Sequence, residues 1–276
     1  MKLKIIVPTP YNYISAFLTF ACQFKCHYCI NKYNNLYQYE HMSVDNWIRG
    51  LNRIVTTHDR PITLTGGEPT LYKDFYKLID WINPEINIDL LTNGSFSVEK
   101  FMEEVKPYRL KRNAPYASIR ISYHPGYTDI HHLQHTAVEL HKNGYSVGIW
   151  AVDTGGIPNH LIDDFEWLGI DFRTKEYLDA DHGHYKYPLA LDGKPKPCFC
   201  KPSEMLIAPD GRLFRCHADL YNAVNSYGHI LDEDVELPDE FLPCERYGLC
   251  NPCDIKTKFN RFQQTGHCSV EIKDFQ

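Results

Sequence analysis

From Tyr13 to Leu178 the chain alternates short apolar, β-rich segments with stretches of helical periodicity, and no hairpin signal falls between them. Strands separated by helices run parallel and are joined by right-handed crossovers, because only antiparallel neighbours can share a tight turn. The expected strands are 14–20, 61–65, 86–91, 117–123, 146–152 and 171–177, and the expected helices 43–56, 71–82, 98–105, 129–142 and 159–168. Leu71, Phe75, Leu78 and Ile82 show the i, i+4, i+7 recurrence of an amphipathic helix. Ser43 and Ser97 read as N-caps, and Gly144 as a helix stop. Six such repeats are two short of a closed eight-stranded barrel. The expected fold is α/β: a partial (β/α)6 TIM-like barrel over residues 1–180.

Past Asp179 the texture changes. Residues 182–197 are rich in Gly, Pro, Lys and Tyr and lack periodicity, as a linker does. Glu204 to Cys216 reads as a β-hairpin turning at Pro209-Asp210-Gly211. The rest is loop-rich with room for a helix, so residues 181–276 are expected to form a small cysteine-rich extension. Its few apolar residues cannot make a self-sufficient core, and metal is expected to tie it together.

The 10 cysteines fall into two groups: Cys22, Cys26 and Cys29, then none until Cys198, Cys200, Cys216, Cys244, Cys250, Cys253 and Cys268. A secreted disulfide scaffold is shorter and spreads its cysteines, so clustered thiols here point to metal. The chain is 43% apolar and 23% charged, which argues for a folded protein. A net charge of −6 argues against a generic nucleic-acid binder. No apolar run nears the roughly 20 residues that cross a bilayer, and the start is too short for a secretory signal. No nucleic-acid partner, no membrane and a cytoplasmic location are therefore expected.

Cys22-Gln-Phe-Lys-Cys26-His-Tyr-Cys29 directly follows the first expected strand. Three thiolates cannot fill a four-coordinate zinc site without a further ligand, for which His27 or His41 is available. A [4Fe–4S] cubane on three cysteines instead leaves one iron open to a chelating small molecule. Spacing alone favours iron–sulfur over zinc, which more often uses paired C-x2-C knuckles. Three more features sit at expected strand ends: Thr65-Gly66-Gly67-Glu68-Pro69, Thr92-Asn93-Gly94 and Ser122-Tyr123-His124-Pro125. Barrel enzymes assemble active sites at those ends.

The C-x3-C-x-Φ-C spacing with Tyr28 as the aromatic, together with Thr65-Gly66-Gly67-Glu68-Pro69 as a GGEP motif, resembles the radical S-adenosylmethionine (radical SAM) superfamily over roughly Tyr13 to Leu178. The resemblance implies an enzyme with a [4Fe–4S] cluster on Cys22, Cys26 and Cys29, whose open iron is chelated by S-adenosylmethionine (SAM). Gly66, Gly67 and Glu68 would contact the SAM amino group, while Asn93 and Ser122 would hold ribose or carboxylate. Tyr28 would lie near the adenine, with Val152 or Trp150 packing against it, although Trp150 serves equally as core. In such enzymes an electron from the reduced cluster breaks a carbon–sulfur bond of SAM. The resulting 5′-deoxyadenosyl radical takes hydrogen from substrate, and the protein supplies orientation and dryness.

The C-x10-G-x4-C pattern of Cys200, Gly211 and Cys216, followed by Cys244, Cys250 and Cys253, resembles the twitch and SPASM extensions that carry auxiliary [4Fe–4S] clusters. Relative to the SPASM pattern it lacks one cysteine and has two residues where three are expected between Cys250 and Cys253. One auxiliary cluster on Cys200, Cys216, Cys250 and Cys253 is the economical assignment, and Cys198, Cys244 and Cys268 are candidates for a second. Zinc stays open, because Cys250-Asn-Pro-Cys253 is also a good knuckle. Cys268 is alternatively a catalytic hydrogen-atom donor or a buried thiol.

Weaker candidates complete the reading. His131 and His135 lie one turn apart with His132 and His141 nearby, most simply as surface residues. Asp181, His182 and His184 sit where barrel meets extension, and Lys175 and Glu176 end the sixth strand, with Glu176 chosen as substrate-side base. Lys111 and Arg112 read as solvated surface, and Tyr33, Tyr37 and Tyr39 as pocket lining. With the barrel starting near residue 13, no leader-peptide-binding module is expected ahead of it. That favours dehydrogenation, epimerisation or rearrangement of a polar small molecule or its conjugate, using an electron donor such as flavodoxin or ferredoxin. Modification of a ribosomally made peptide is the alternative within enzymes, and a non-catalytic zinc or iron–sulfur module the alternative outside them.

Overall fold

The computed structural model describes residues 3–30, 39–57, 59–111, 114–259 and 264–274; Tyr33, Tyr37 and Arg112 lie outside them. In chain order come β1 (Ile5–Ile6), β2 (Tyr13–Thr19), α1 (Val44–Leu51), β3 (Ile54–Val55), β4 (Ile62–Gly66), α2 (Phe75–Trp81), β5 (Ile88–Thr92) and α3 (Val98–Glu104). Then follow β6 (Ile119–Tyr123), α4 (Ile130–Lys142), β7 (Val147–Asp153), α5 (Asn159–Trp167) and β8 (Asp171–Glu176). β9 (Lys196–Pro202), β10 (Glu204–Ile207), β11 (Arg212–Phe214), α6 (His217–Asn222), β12 (Gly228–His229), β13 (Leu242–Tyr247), α7 (Pro252–Ile255) and β14 (Val270–Asp274) complete it.

β2, β4, β5, β6, β7 and β8 pair in parallel in that order, the expected partial barrel wall. Their outward residues, among them Ile62, Leu64, Ile88, Leu90, Ile119, Ile121, Val147 and Ile149, are buried in one core with Trp47, Phe75, Leu78, Phe101, Leu133, Leu140 and Phe165 of the helices. Each strand needs apolar side chains on that face, which explains the β-branched runs that made it visible in the sequence. Ser43 and Ser97 cap α1 and α3, accepting hydrogen bonds from the Asn46 and Lys100 amides. Gly144 follows α4 with φ of 83°, where its missing Cβ removes the strain.

Two expected helices are shorter. α1 stops at Leu51 because residues 54–55 leave to pair with β1. α2 begins only at Phe75, since Pro69 to Leu71 form a 3₁₀ turn capped by Glu68; Leu71 is exposed, and Phe75, Leu78, Ile79 and Ile82 carry the buried stripe.

The hairpin forms as expected, β10 pairing antiparallel with β11, and β10 also pairs parallel with β2. It therefore lengthens the barrel sheet to 9 strands, ordered β12-β11-β10-β2-β4-β5-β6-β7-β8. α6 follows, and Leu220 and Tyr221 bury with Phe17 and Phe20 of the barrel and Phe214 of the hairpin. The extension holds more sheet than the sequence suggests: β13, β9 and β14 form a 3-stranded sheet. Cys198, Cys200 and Cys244 bury there with Tyr247, Ile255, Val270 and Ile272. Residues 182–197 are more than a linker: Tyr185 bridges to Lys256, and Pro188 to Leu191 make a 3₁₀ turn that buries Ala190.

One ion pair ties extension to sheet. Lys258 Nζ lies 2.6 Å from Glu204 Oε1 at the start of β10 and 2.6 Å from Ser269 Oγ. Glu204 is buried, and the nearby ammonium pulls its pKa down to about 2 despite burial. Lys258→Met is expected to cost about 3–5 kcal/mol in urea unfolding, since it strands a buried carboxylate. Pairing it with Glu204→Gln is expected to restore most of that loss.

Candidate active site

The Cys22–Cys29 loop leaves β2 at the C-terminal end of the parallel strands, and the glycine pair at the end of β4 fixes its course. The amides of Gly67 and Glu68 donate to the Thr19 and Ala21 carbonyls, each at 2.8 Å. A Cβ on Gly66 would collide with the Thr19 carbonyl, and one on Gly67 with the carbonyls of Phe20 and Ala21. Gly66 also holds φ of 141°, outside the range open to other residues. The glycines thus let the root of the cysteine loop lie directly on β4.

Glu68 is fully buried and works as a hub. Its Oε1 accepts from Thr70 N at 3.1 Å, Thr70 Oγ1 at 2.6 Å and Thr92 Oγ1 at 2.7 Å, and its Oε2 from Asn93 N at 2.7 Å. Burial pushes its pKa up, and these donors oppose that rise. The carboxylate binds the end of β4 to the end of β5. Asn93 continues the chain of contacts, its Nδ2 lying 3.8 Å from Cys22 Sγ and its Oδ1 accepting from Ser95 N at 3.0 Å.

The far side of the loop rests on β6. Tyr28 is buried, its hydroxyl 2.9 Å from His124 Nδ1 with the rings stacked at 5.9 Å, and Phe24 meets the same imidazole edge-on. Burial lowers the His124 pKa to about 4. The sequence displays His124 within a strand-end motif, but only the fold shows it as the loop's support. His132, one of the helix histidines, places Nε2 2.9 Å from the Gly94 carbonyl.

Lateral register places Ser122 beside Trp150 and Trp150 beside Arg173, with Val152 beside Lys175 one row nearer the mouth. These side chains lie on the sheet face opposite the helix-packed core. Trp150 is buried with the Arg173 guanidinium 5.6 Å over its ring, and Arg120 lies 3.3 Å from Asp89 lower in the lumen. Glu176 alternates to the other face, accepting from His184 N at 3.0 Å and contacting His184 Nδ1 at 2.6 Å, so Lys175 is the strand-end charge that faces inward. Asp181, His182 and His184 are exposed.

All 10 cysteines are free thiols. Burial pushes Cys22 up and Cys26 to about 11, so metal binding there must displace protons. In the extension, Cys200, Cys216, Cys244 and Cys250 line one cavity with Arg215, Asp219 and Arg246. The sulfurs of Cys198, Cys200 and Cys244 converge within 4.8 Å. A hydrogen bond with Cys200 pulls the Cys244 thiol down, and Asp219 holds Arg215 at 3.1 Å and Arg246 at 3.7 Å on the cavity wall. Cys253 is not part of that lining; its charged neighbours include His217, Lys258, Lys256 and Glu204. Cys268 is buried with its thiol toward the Ile255 carbonyl at 3.4 Å. The two cysteine regions touch where Asn251 Nδ2, beside Cys250, reaches the Ile30 carbonyl, beside Cys29, at 3.5 Å.

Residues 17–131 match the family described as the Radical SAM superfamily. Over that stretch the chain is similar to proteins of that superfamily. It is similar to the GTP 3',8-cyclase of Nautilia profundicola, 29% identical over 117 residues covering 37% of this chain and 33% of that protein. It is also similar to the GTP 3',8-cyclase of Campylobacter jejuni subsp. doylei, 32% identical over 106 residues with the same shares of 37% and 33%. The chain thus covers about a third of the length of these curated relatives. Streptococcus suis SuiB bound to precursor peptide SuiA has a similar fold, with a TM-score of 0.54 at 14% identity over 84% of this chain and 64% of that one. Native anSMEcpe with bound AdoMet and Cp18Cys peptide gives 0.52 at 16% identity over 80% and 78%. Radical SAM domains imply a [4Fe–4S] cluster and SAM. Three free thiols on one anchored loop suit such a cluster. Among the described residues no helix is long and apolar enough to cross a membrane.

Gly67→Ala is expected to cost about 1–3 kcal/mol, because backbone rather than a side-chain tip must move. It is also expected to lower the iron retained after anaerobic reconstitution, measured by ferrozine. The low His124 pKa sets a pH dependence. From about 6.5 down to about 4 the unfolded chain gains a proton that folded His124 refuses. This contribution is fully present above that window and is lost as pH falls through it. His124→Phe, which keeps the stacking on Tyr28, is expected to flatten the fall in Tm across the same window.

Proposed function

We propose that this chain is a radical SAM enzyme acting on a polar small molecule or its conjugate by dehydrogenation, epimerisation or rearrangement. The observation that carries this reading is the anchored loop: Cys22, Cys26 and Cys29 beside the glycine pair, with Asn93 against Cys22 and Tyr28 against His124. Cys22, Cys26 and Cys29 would hold a [4Fe–4S] cluster, which with SAM supplies a 5′-deoxyadenosyl radical able to abstract hydrogen. The protein's share is placement. Gly66 and Gly67 set the loop height, and Glu68 fixes Asn93 from below. Ser122, Trp150 and Val152 offer a hydroxyl, a flat ring and an apolar edge at successive inward positions for nucleoside and substrate.

An auxiliary cluster on Cys200, Cys216, Cys244 and Cys250 is the set the cavity supports, with Cys198 adjoining. Its position next to the first loop through Asn251 and Ile30 suits a group that exchanges electrons with the substrate site, and a flavodoxin or ferredoxin would supply the external electron.

Anaerobic incubation of reconstituted protein with dithionite and SAM is expected to release 5′-deoxyadenosine. Cys26→Ala is expected to reduce the release at least 100-fold and to remove about four irons per chain, one cubane. Zinc at the triad with no SAM cleavage would instead establish a non-catalytic metal module. Supplying a precursor peptide in place of metabolites tests the peptide alternative in the same assay.

A further inference from the structure

Four cations meet where β8 faces the segment leaving α7. Lys175 points inward at the mouth, level with Val152. Lys256 is brought alongside by its bridge to Tyr185, and the Thr257 amide donating to the His184 carbonyl at 2.7 Å fixes that segment next to the chain leaving β8. Lys258 and Arg120 also act on Lys175, and the Cys253 thiol acts on it in the opposite sense. Two of the four are answered: Lys258 by Glu204 at 2.6 Å and Arg120 by Asp89 at 3.3 Å. Among the described residues, Lys175 and Lys256 have no acidic side chain in ion-pair contact.

This surplus occurs in a chain of net charge −6. The Lys175 side chain reaches the open lumen, yet the barrel wall displaces much of the bulk water around it. That desolvation and the three like charges pull its pKa down to about 7, a strain that a bound anion relieves.

We propose that Lys175 and Lys256 form an anion subsite at the barrel mouth, so that the substrate is a molecule bearing a phosphate or carboxylate group. The inference rests on the radical SAM reading for the identity of the mouth as the substrate site. Ammonium groups bind such anions through charge-assisted hydrogen bonds without demanding one fixed geometry.

The test uses the full chain, reconstituted and saturated with SAM, titrated by anaerobic calorimetry with inorganic pyrophosphate and, separately, with succinate. One of the two is expected to bind, pyrophosphate identifying a phosphoester substrate and succinate a carboxylate. Lys175→Met is expected to weaken that binding at least tenfold, and Lys175→Arg less. Lys77→Met is expected to leave it unchanged. A melting curve on each variant monitors folding, and Lys175→Met is expected to melt no lower than wild type, because it deletes no hydrogen bond or ion pair. Binding of neither anion, equal binding by Lys175→Met, or competition between the anion and SAM would each overturn the subsite. Iron content and 5′-deoxyadenosine release on the same samples report separately on the radical SAM reading, so either can fail while the other stands.

Discussion

Everything at the mouth of this barrel takes its position from one crossing, where the backbone of Thr19 to Ala21 passes over Gly66 and Gly67 with no space for a side chain. Backbone-to-backbone contact is the stiffest anchor a loop can have, because no rotamer lies between the parts. Three cysteines within a few residues of that crossing inherit its rigidity. A metal cluster needs this, since its ligands must hold separation and direction before the metal arrives.

The sequence shows the glycine pair and the acid after it, and suggests a ligand contact for all three. The acid in the folded chain is more a structural hub than the motif reveals: Glu68 has four donors, two from Thr70 and one each from Thr92 and Asn93. Only a fold that brings β4 next to β5 places them together, so no local pattern could disclose them. The six barrel strands were legible because each buries a β-branched face under a helix. The sequence places the start of α2 too early because Leu71 keeps the helical period while Pro69 imposes a 3₁₀ turn and leaves Leu71 in solvent.

Legibility fails most in the extension. Lys196-Pro-Cys-Phe-Cys-Lys-Pro202 gives no strand signal in the sequence, because its prolines and lysines mask the period-2 pattern. Cys198 and Cys200 carry the inward positions of that strand, acting as small apolar residues in a sheet core as well as candidate ligands. The same duality hides which thiols belong together. Spacing favours Cys253 with Cys200, Cys216 and Cys250, whereas β9 pairs with β13 and brings Cys244 to the cavity instead.

The parallel pairing of Tyr13 with Glu204 carries a consequence for how the molecule is made. One edge of β2 stays unpaired until Glu204 and the hairpin after it have been synthesised. Closing so distant a contact is entropically slow, and the waiting edge is a template for neighbouring chains. Early in translation the nascent barrel is therefore most exposed to association along β2, and the hairpin's arrival ends that vulnerability.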